Sequence, residues 1–254
     1  MRLLKLNSRS EFTLTTDIIT GDTPYAILSH TWGADEDEVT FDDLQKESGQ
    51  SKAGYAKIQF CGEQARKDGL QYFWVDSCCI KRSSDSELSE SINSMFRWYQ
   101  GASRCYVYIG DVSTTKRKRG DENAQDAWKQ AFRDSRWFTR GWTLQELLAP
   151  ASVEFFSKEH ERLGDKQSLR QEIHEITEIP ISALNGRPLS EFSNEERMSW
   201  AAKRNTKREE DKAYSLLGIF DVHMPLIYGE RMHSARRRLL KEIGEASTSK
   251  LLLS

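Results

Sequence analysis

Four short apolar runs, each closed by a polar turn and separated by stretches of helical periodicity, restrict the possible folds more than any other feature of this chain. They are Tyr25-Ala-Ile-Leu-Ser29, Gln71-Tyr-Phe-Trp-Val75, Arg104-Cys-Tyr-Val-Tyr-Ile109 and Ser152-Val-Glu-Phe-Phe156. Runs this apolar on both faces suit central strands covered by helices on either side. After the first run, residues 52–67 place Tyr55, Ile58 and Ala65 at helical spacing, and Gly69 stands where a helix would end. After the second, residues 86–100 bring Leu88, Ile92, Met95, Phe96 and Tyr99 to one side. A further helix over 140–148 is stopped by Pro150. Strands alternating with helices predict an α/β fold: a flavodoxin-like parallel sheet flanked by helices, with right-handed crossovers.

Beyond about Ser157 the pattern reads as helices alone. Ser193…Glu196 and Thr206…Glu209 both have capping-box spacing, and a last helix runs through Met232, Leu239, Leu240 and Ile243. The expected organisation is an α/β core over 1–157 and a helical extension over 158–254, packed on the core as part of one domain.

Composition narrows the partners. A net charge of −2 over 254 residues gives no electrostatic case for nucleic acid or an anionic membrane. Lys116-Arg-Lys-Arg119 reads as a solvated loop, and Arg236-Arg-Arg238 as the wet face of the last helix. No segment is long and apolar enough to span a bilayer, and residues 1–10 do not form a secretory signal, so a soluble, cytoplasmic protein is expected. Cys61, Cys78, Cys79 and Cys105 have no metal-ligand spacing. They are expected as buried, reduced thiols, and no metal is expected.

In parallel sheets of this type, ligands bind outside the carboxyl ends of the strands. Three segments lie there: Ser29-His-Thr-Trp-Gly33, Asp76-Ser-Cys-Cys79 and Gly110-Asp111. Trp142 and Glu146 are four apart on the following helix and share one face, which sets an aromatic wall beside a carboxylate. That pair suits a planar cationic ligand, and exclusion of water would raise the carboxylate pKa. No GxGxxG follows the first strand, so a Rossmann dehydrogenase mode is not supported.

Tyr25-Ala-Ile-Leu-Ser-His-Thr-Trp-Gly33, Phe73-Trp-Val-Asp-Ser-Cys-Cys-Ile80, Arg140-Gly-Trp-Thr-Leu-Gln-Glu-Leu147, Asp211-Lys-Ala-Tyr-Ser-Leu-Leu-Gly-Ile219 and Tyr228-Gly-Glu230 resemble the fungal heterokaryon-incompatibility (HET) domain, in its order and over nearly the whole chain. The resemblance implies non-self recognition and programmed cell death, with self-association and an upstream sensor protein as partners. A weaker resemblance is to Toll/interleukin-receptor (TIR) domains. Those have a flavodoxin-like sheet, and their enzymatic members cleave NAD with a glutamate four residues after a tryptophan. Carried over, it makes Glu146 the catalytic carboxylate and Trp142 its aromatic neighbour, with NAD as substrate and no cofactor. Thr143 stands where the TIR motif usually has cysteine. Ser29, His30 and Trp32 would then shape the dinucleotide pocket from the first strand, and Asp76 and Ser77 from the second.

Each candidate also has a purely structural reading. Glu146 reads equally as a surface or ion-paired residue, Trp142 as a core anchor, His30 as a strand-end cap or hydrogen-bonder and Trp32 as a packed turn residue, while Asp76 and Ser77 read as caps of the following helix or loop. Two functional rivals stand beside the hydrolase. One is a non-enzymatic module that acts by self-association; the other is a thiol hydrolase using Cys78 or Cys79 with His30.

Overall fold

Each of the four apolar runs forms a strand, and the four lie side by side and parallel at the centre of a larger mixed sheet. The computed structural model describes residues 1–7, 12–15, 23–115 and 124–252; the basic run at 116–119 lies outside the described residues. In chain order the elements are β1 (Leu4–Leu6), β2 (Phe12–Leu14), β3 (Tyr25–His30), α1 (Phe41–Gln45), α2 (Tyr55–Lys67), β4 (Tyr72–Trp74), α3 (Asp76–Cys79) and α4 (Asp85–Gly101). Then come β5 (Arg104–Ile109), α5 (Ala124–Arg133), a 3-10 turn (Arg136–Thr139), α6 (Thr143–Leu148), β6 (Val153–Ser157) and β7 (Arg162–Asp165). The remainder comprises α7 (Arg170–Thr177), α8 (Ile181–Leu184), α9 (Asn194–Ser199), α10 (Asp211–Tyr214), α11 (Leu217–Phe220) and α12 (Arg231–Leu252).

Among the described residues the sheet order is β2-β1-β4-β3-β5-β6-β7. The parallel strands therefore lie second, first, third, fourth, which is the flavodoxin-like order. The chain runs from β3 to β4 on one side and then crosses over to β5 on the other, so the switch point falls between β3 and β5. All six residues of β3 are buried, as a strand covered on both faces requires. On one face Phe60 of α2 packs against Tyr106, Tyr108 and Phe156. On the other, Trp74 meets Trp98 and Tyr99 of α4, and the Tyr99 hydroxyl donates to Leu28 O at 2.9 Å.

α2 ends as its sequence requires: Gly69 adopts φ +76°, where a side chain would be strained. The Ser193–Glu196 capping box forms and opens α9. Thr206 opens no helix; its hydroxyl donates to Arg208 O at 2.6 Å, and α10 begins only at Asp211. The expectation of helices alone beyond 157 is corrected by β7, which adds an antiparallel edge to β6. Leu240 faces out at 47% exposure, whereas Ala235, Leu239 and Ile243 form the buried side of α12. Arg236 and Arg237 are exposed as expected, but Arg238 binds Glu230 and Pro225 O. Among the described residues no helix is long and apolar enough to cross a membrane.

Candidate functional site

Strand alternation divides the first segment. Ser29 and His30 are neighbours on β3, so their side chains leave on opposite faces of the sheet. Ser29, fully buried, turns to the α4/α6 side, where its hydroxyl donates to Glu146 Oε2 and accepts the Trp137 Nε1–H at 2.8 Å. His30 turns to the α2 side, with Nδ1 3.3 Å from Lys57 Nζ and Nε2 3.1 Å from Asp76 Oδ1. An ammonium can only donate, so Nδ1 accepts and Nε2 carries the proton offered to Asp76.

α6, which carries Glu146, has six residues and no side-chain N-cap, too little to persist alone. Tertiary bonds hold both of its ends. At the start, Gly141 N–H donates to Asn205 O at 2.8 Å, and a Cβ at Gly141 would lie 2.5 Å from the Thr206 methyl. The Thr143 hydroxyl donates to Trp137 O at 2.6 Å, and Arg204 donates to Arg140 O at 2.9 Å and Thr143 Oγ1 at 2.8 Å. At the far end, buried Lys166 donates to Leu147 O at 3.2 Å and Pro150 O at 2.7 Å, placing a cation where the helix dipole favours one. Burial lowers the Lys166 pKa to about 8. Arg204, Asn205 and Lys166 all lie beyond residue 157, so the C-terminal segment builds the support of the Glu146 helix.

Glu146 is 7% exposed. Burial drives its pKa up to about 8, with the negative charge of Asp76 adding to the rise. The Ser29 hydrogen bond and the charges of Arg140 and Arg204 oppose the shift without cancelling it. The carboxyl group is turned away from bulk solvent, and among the described residues it sits in no ion pair. It is held at the end of the strand beside the switch point.

Asp76 forms the second focus. It starts α3 but caps nothing; its carboxylate faces His30 Nε2, accepts the Trp32 Nε1–H at 2.9 Å and lies 3.5 Å from Arg82 Nη2. Burial works against its charge, but the hydrogen bonds from His30 and Trp32 and the charge of Arg82 prevail and lower its pKa. Trp32 is half-buried, with the Arg82 guanidinium 4.3 Å over its ring. Ser77 is buried within α3.

Trp142, half-buried at the start of α6, donates its Nε1–H to Asp211 Oδ2 at 3.2 Å. It thus ties the Glu146 helix to the C-terminal segment. Tyr228 donates to the other Asp211 oxygen at 3.0 Å. Burial raises the Asp211 pKa against the Trp142 and Tyr228 hydrogen bonds and the charges of Arg208 and Arg82.

Glu146 and Asp76 were named from the sequence, whereas Trp137, Lys57, Arg82, Arg204 and Lys166, which contact these carboxylates or the elements that hold them, were not. Only the charge of a residue destined for burial could have signalled the last two. The thiol reading loses its base, because both His30 nitrogens are engaged. All four cysteines are buried and free, and burial pushes the Cys78 thiol well up.

Residues 25–126 match the model of the heterokaryon incompatibility protein family (HET), and the chain carries a domain of that family. It is 57% identical over 246 residues to the vegetative incompatibility protein HET-E-1 of Podospora anserina. That alignment covers 96% of this chain, and the chain spans 18% of the length of that protein. No solved structure matches. The matched family segment contains Ser29, His30, Trp32, Asp76 and Ser77, and ends before Trp142 and Glu146.

Proposed function

We propose that this chain is a cell-death effector of vegetative incompatibility, and that it hydrolyses NAD at the nicotinamide–ribose bond with Glu146 as the catalytic carboxylate. The observation that carries the reading is a buried glutamate, hydrogen-bonded by Ser29 at the carboxyl end of a central strand, with its pKa raised to about 8. A structural glutamate in a charged protein is normally solvated or paired; one isolated at the ligand end of a parallel sheet is a functional-site signature.

The chemistry needs few parts. As the C1′–N1 bond breaks, its electron pair stays on the pyridine nitrogen and nicotinamide leaves neutral, so no acid has to protonate it. The ribose acquires oxocarbenium character, and water adds at C1′, its proton passing to the Glu146 carboxylate and from there to solvent. Glu146 is neutral at pH 7 while its site is empty. The arriving cationic nicotinamide ring favours the carboxylate and lowers its pKa, so charge appears where the transition state requires it. Ser29, its own oxygen held by Trp137, points its hydrogen at that carboxylate.

At 7% exposure Glu146 is closed to a dinucleotide in this conformation. Local opening, driven by self-association under an upstream sensor, suits an effector that must stay silent when dilute. The test is nicotinamide release by purified protein, alone and forcibly clustered, beside Glu146→Gln and Glu146→Ala. Release by the wild type and none by either folded variant supports the reading. The same enclosure favours a second reading, a non-enzymatic self-association module. Cell death with cellular NAD intact would establish that one instead.

A further inference from the structure

Two exposed arginines flank the Asp76 and Asp211 clusters, each stacked on an aromatic ring. The Arg82 guanidinium lies 4.3 Å from the Trp32 ring centroid, and that of Arg208 lies 4.1 Å from the Tyr228 ring. Both rings are bonded to site carboxylates, Trp32 to Asp76 and Tyr228 to Asp211. The two clusters adjoin, since the charges of both arginines act on Asp211 and Tyr228, and Arg82 also acts on Asp76.

The guanidinium groups are placed but not saturated. Arg82 makes one long 3.5 Å bond to Asp76 with 42% of its side chain exposed. Among the described residues Arg208 stacks on its ring and makes no side-chain hydrogen bond. A stacked guanidinium keeps its orientation and still directs several N–H groups into solvent, the geometry that recognises phosphate. One arginine belongs to the sheet core and the other to the C-terminal segment, and both charges act on Asp211 and Tyr228.

We propose that Arg82 and Arg208 form a clamp for the phosphate groups of a nucleoside diphosphate or dinucleotide entering above Asp76 and Asp211. The inference rests on the nucleotide reading above and specifies which end of the ligand meets which residues. The aromatic rings serve as backing plates and contribute no charge to the contact.

Calorimetric titration with ADP and with adenosine tests it. ADP binding at least tenfold tighter than adenosine is expected, weakening steeply with salt. Arg82→Gln/Arg208→Gln keeps planar groups over both rings and removes both charges; it should bind ADP at least tenfold more weakly, down to the adenosine level, at unchanged Tm. Equal binding of ADP and adenosine, no ADP binding by the wild type, or full ADP affinity in a folded double variant overturns the clamp. The two readings fail separately. ADP binding that depends on the arginines without NAD turnover leaves the clamp and removes the hydrolase. NAD turnover with KM unchanged in the double variant does the reverse.

Discussion

Glu146→Gln should stabilise the folded protein increasingly as pH rises. In the unfolded chain Glu146 loses its proton near its ordinary value of 4.5, whereas in the folded chain it keeps it to about 8. Between those values folding takes up a proton, so this residue's contribution is fully favourable below pH 4.5 and is lost as pH climbs through 8. At about 1.36 kcal/mol per pH unit the ceiling is about 5 kcal/mol. Relaxation of the site and water penetration reduce such ceilings, and about 2–3 kcal/mol is the expected difference. Glutamine cannot titrate, yet its amide oxygen still accepts the Ser29 hydrogen bond. For a chain of this size the variant should gain about 5–10 °C in Tm over wild type between pH 5 and pH 9. The assay is thermal unfolding of both proteins across that range. Only their difference matters, because Lys166 titrates near pH 8 in both. Parallel Tm curves would refute the buried, neutral glutamate and, with it, the picture of a carboxylate charged by its ligand.

The pH profile of NAD cleavage should follow the same group. kcat/KM is expected to rise with pH to a plateau above about 8, while kcat levels off at lower pH because the bound cation favours the carboxylate. Trp137→Phe keeps the ring against Phe155 but removes the Ser29 donor, and should cost about 1–2 kcal/mol by denaturant titration. Arg204→Met removes the donor to Arg140 O and Thr143 and a charge that lowers the Glu146 pKa. It should lower stability by about 2–4 kcal/mol and move the midpoint of the kcat/KM profile upward. Gly218→Ala would drive a Cβ into Phe96 where α11 crosses α4, and should cost about 3 kcal/mol or prevent folding, read by soluble yield and Tm. A thiol reagent should modify none of the four cysteines of the native protein in minutes, and all four once it is denatured.

The central sheet was legible because a doubly covered strand needs an unbroken apolar run and little else in this chain has one. The edges were not. Leu4-Lys5-Leu6 and the β7 segment Arg162–Asp165 carry charges and span only three and four residues, too few for a period to show. They are strands because β4 and β6 offer unpaired backbone groups beside them. Likewise Ser193…Glu196 and Thr206…Glu209 are identical as patterns. Only the first finds a helix, since the chain around Thr206 is held extended where Asn205 bonds to Thr139 and Gly141.

Apolar runs and helical spacing determined by themselves that this chain forms a parallel sheet with helices around it, and that Glu146 and Trp142 share a helix near the ligand end of that sheet. Only the tertiary structure decided that Ser29 meets Glu146 while His30 faces away to Lys57 and Asp76. It also decided that Arg204 and Lys166, more than 15 residues on, hold the Glu146 helix in place. The reason is one of range. Periodicity reports how a segment presents its own faces, whereas the pKa of a buried carboxylate is set by which distant groups come within a few ångströms once the faces have packed.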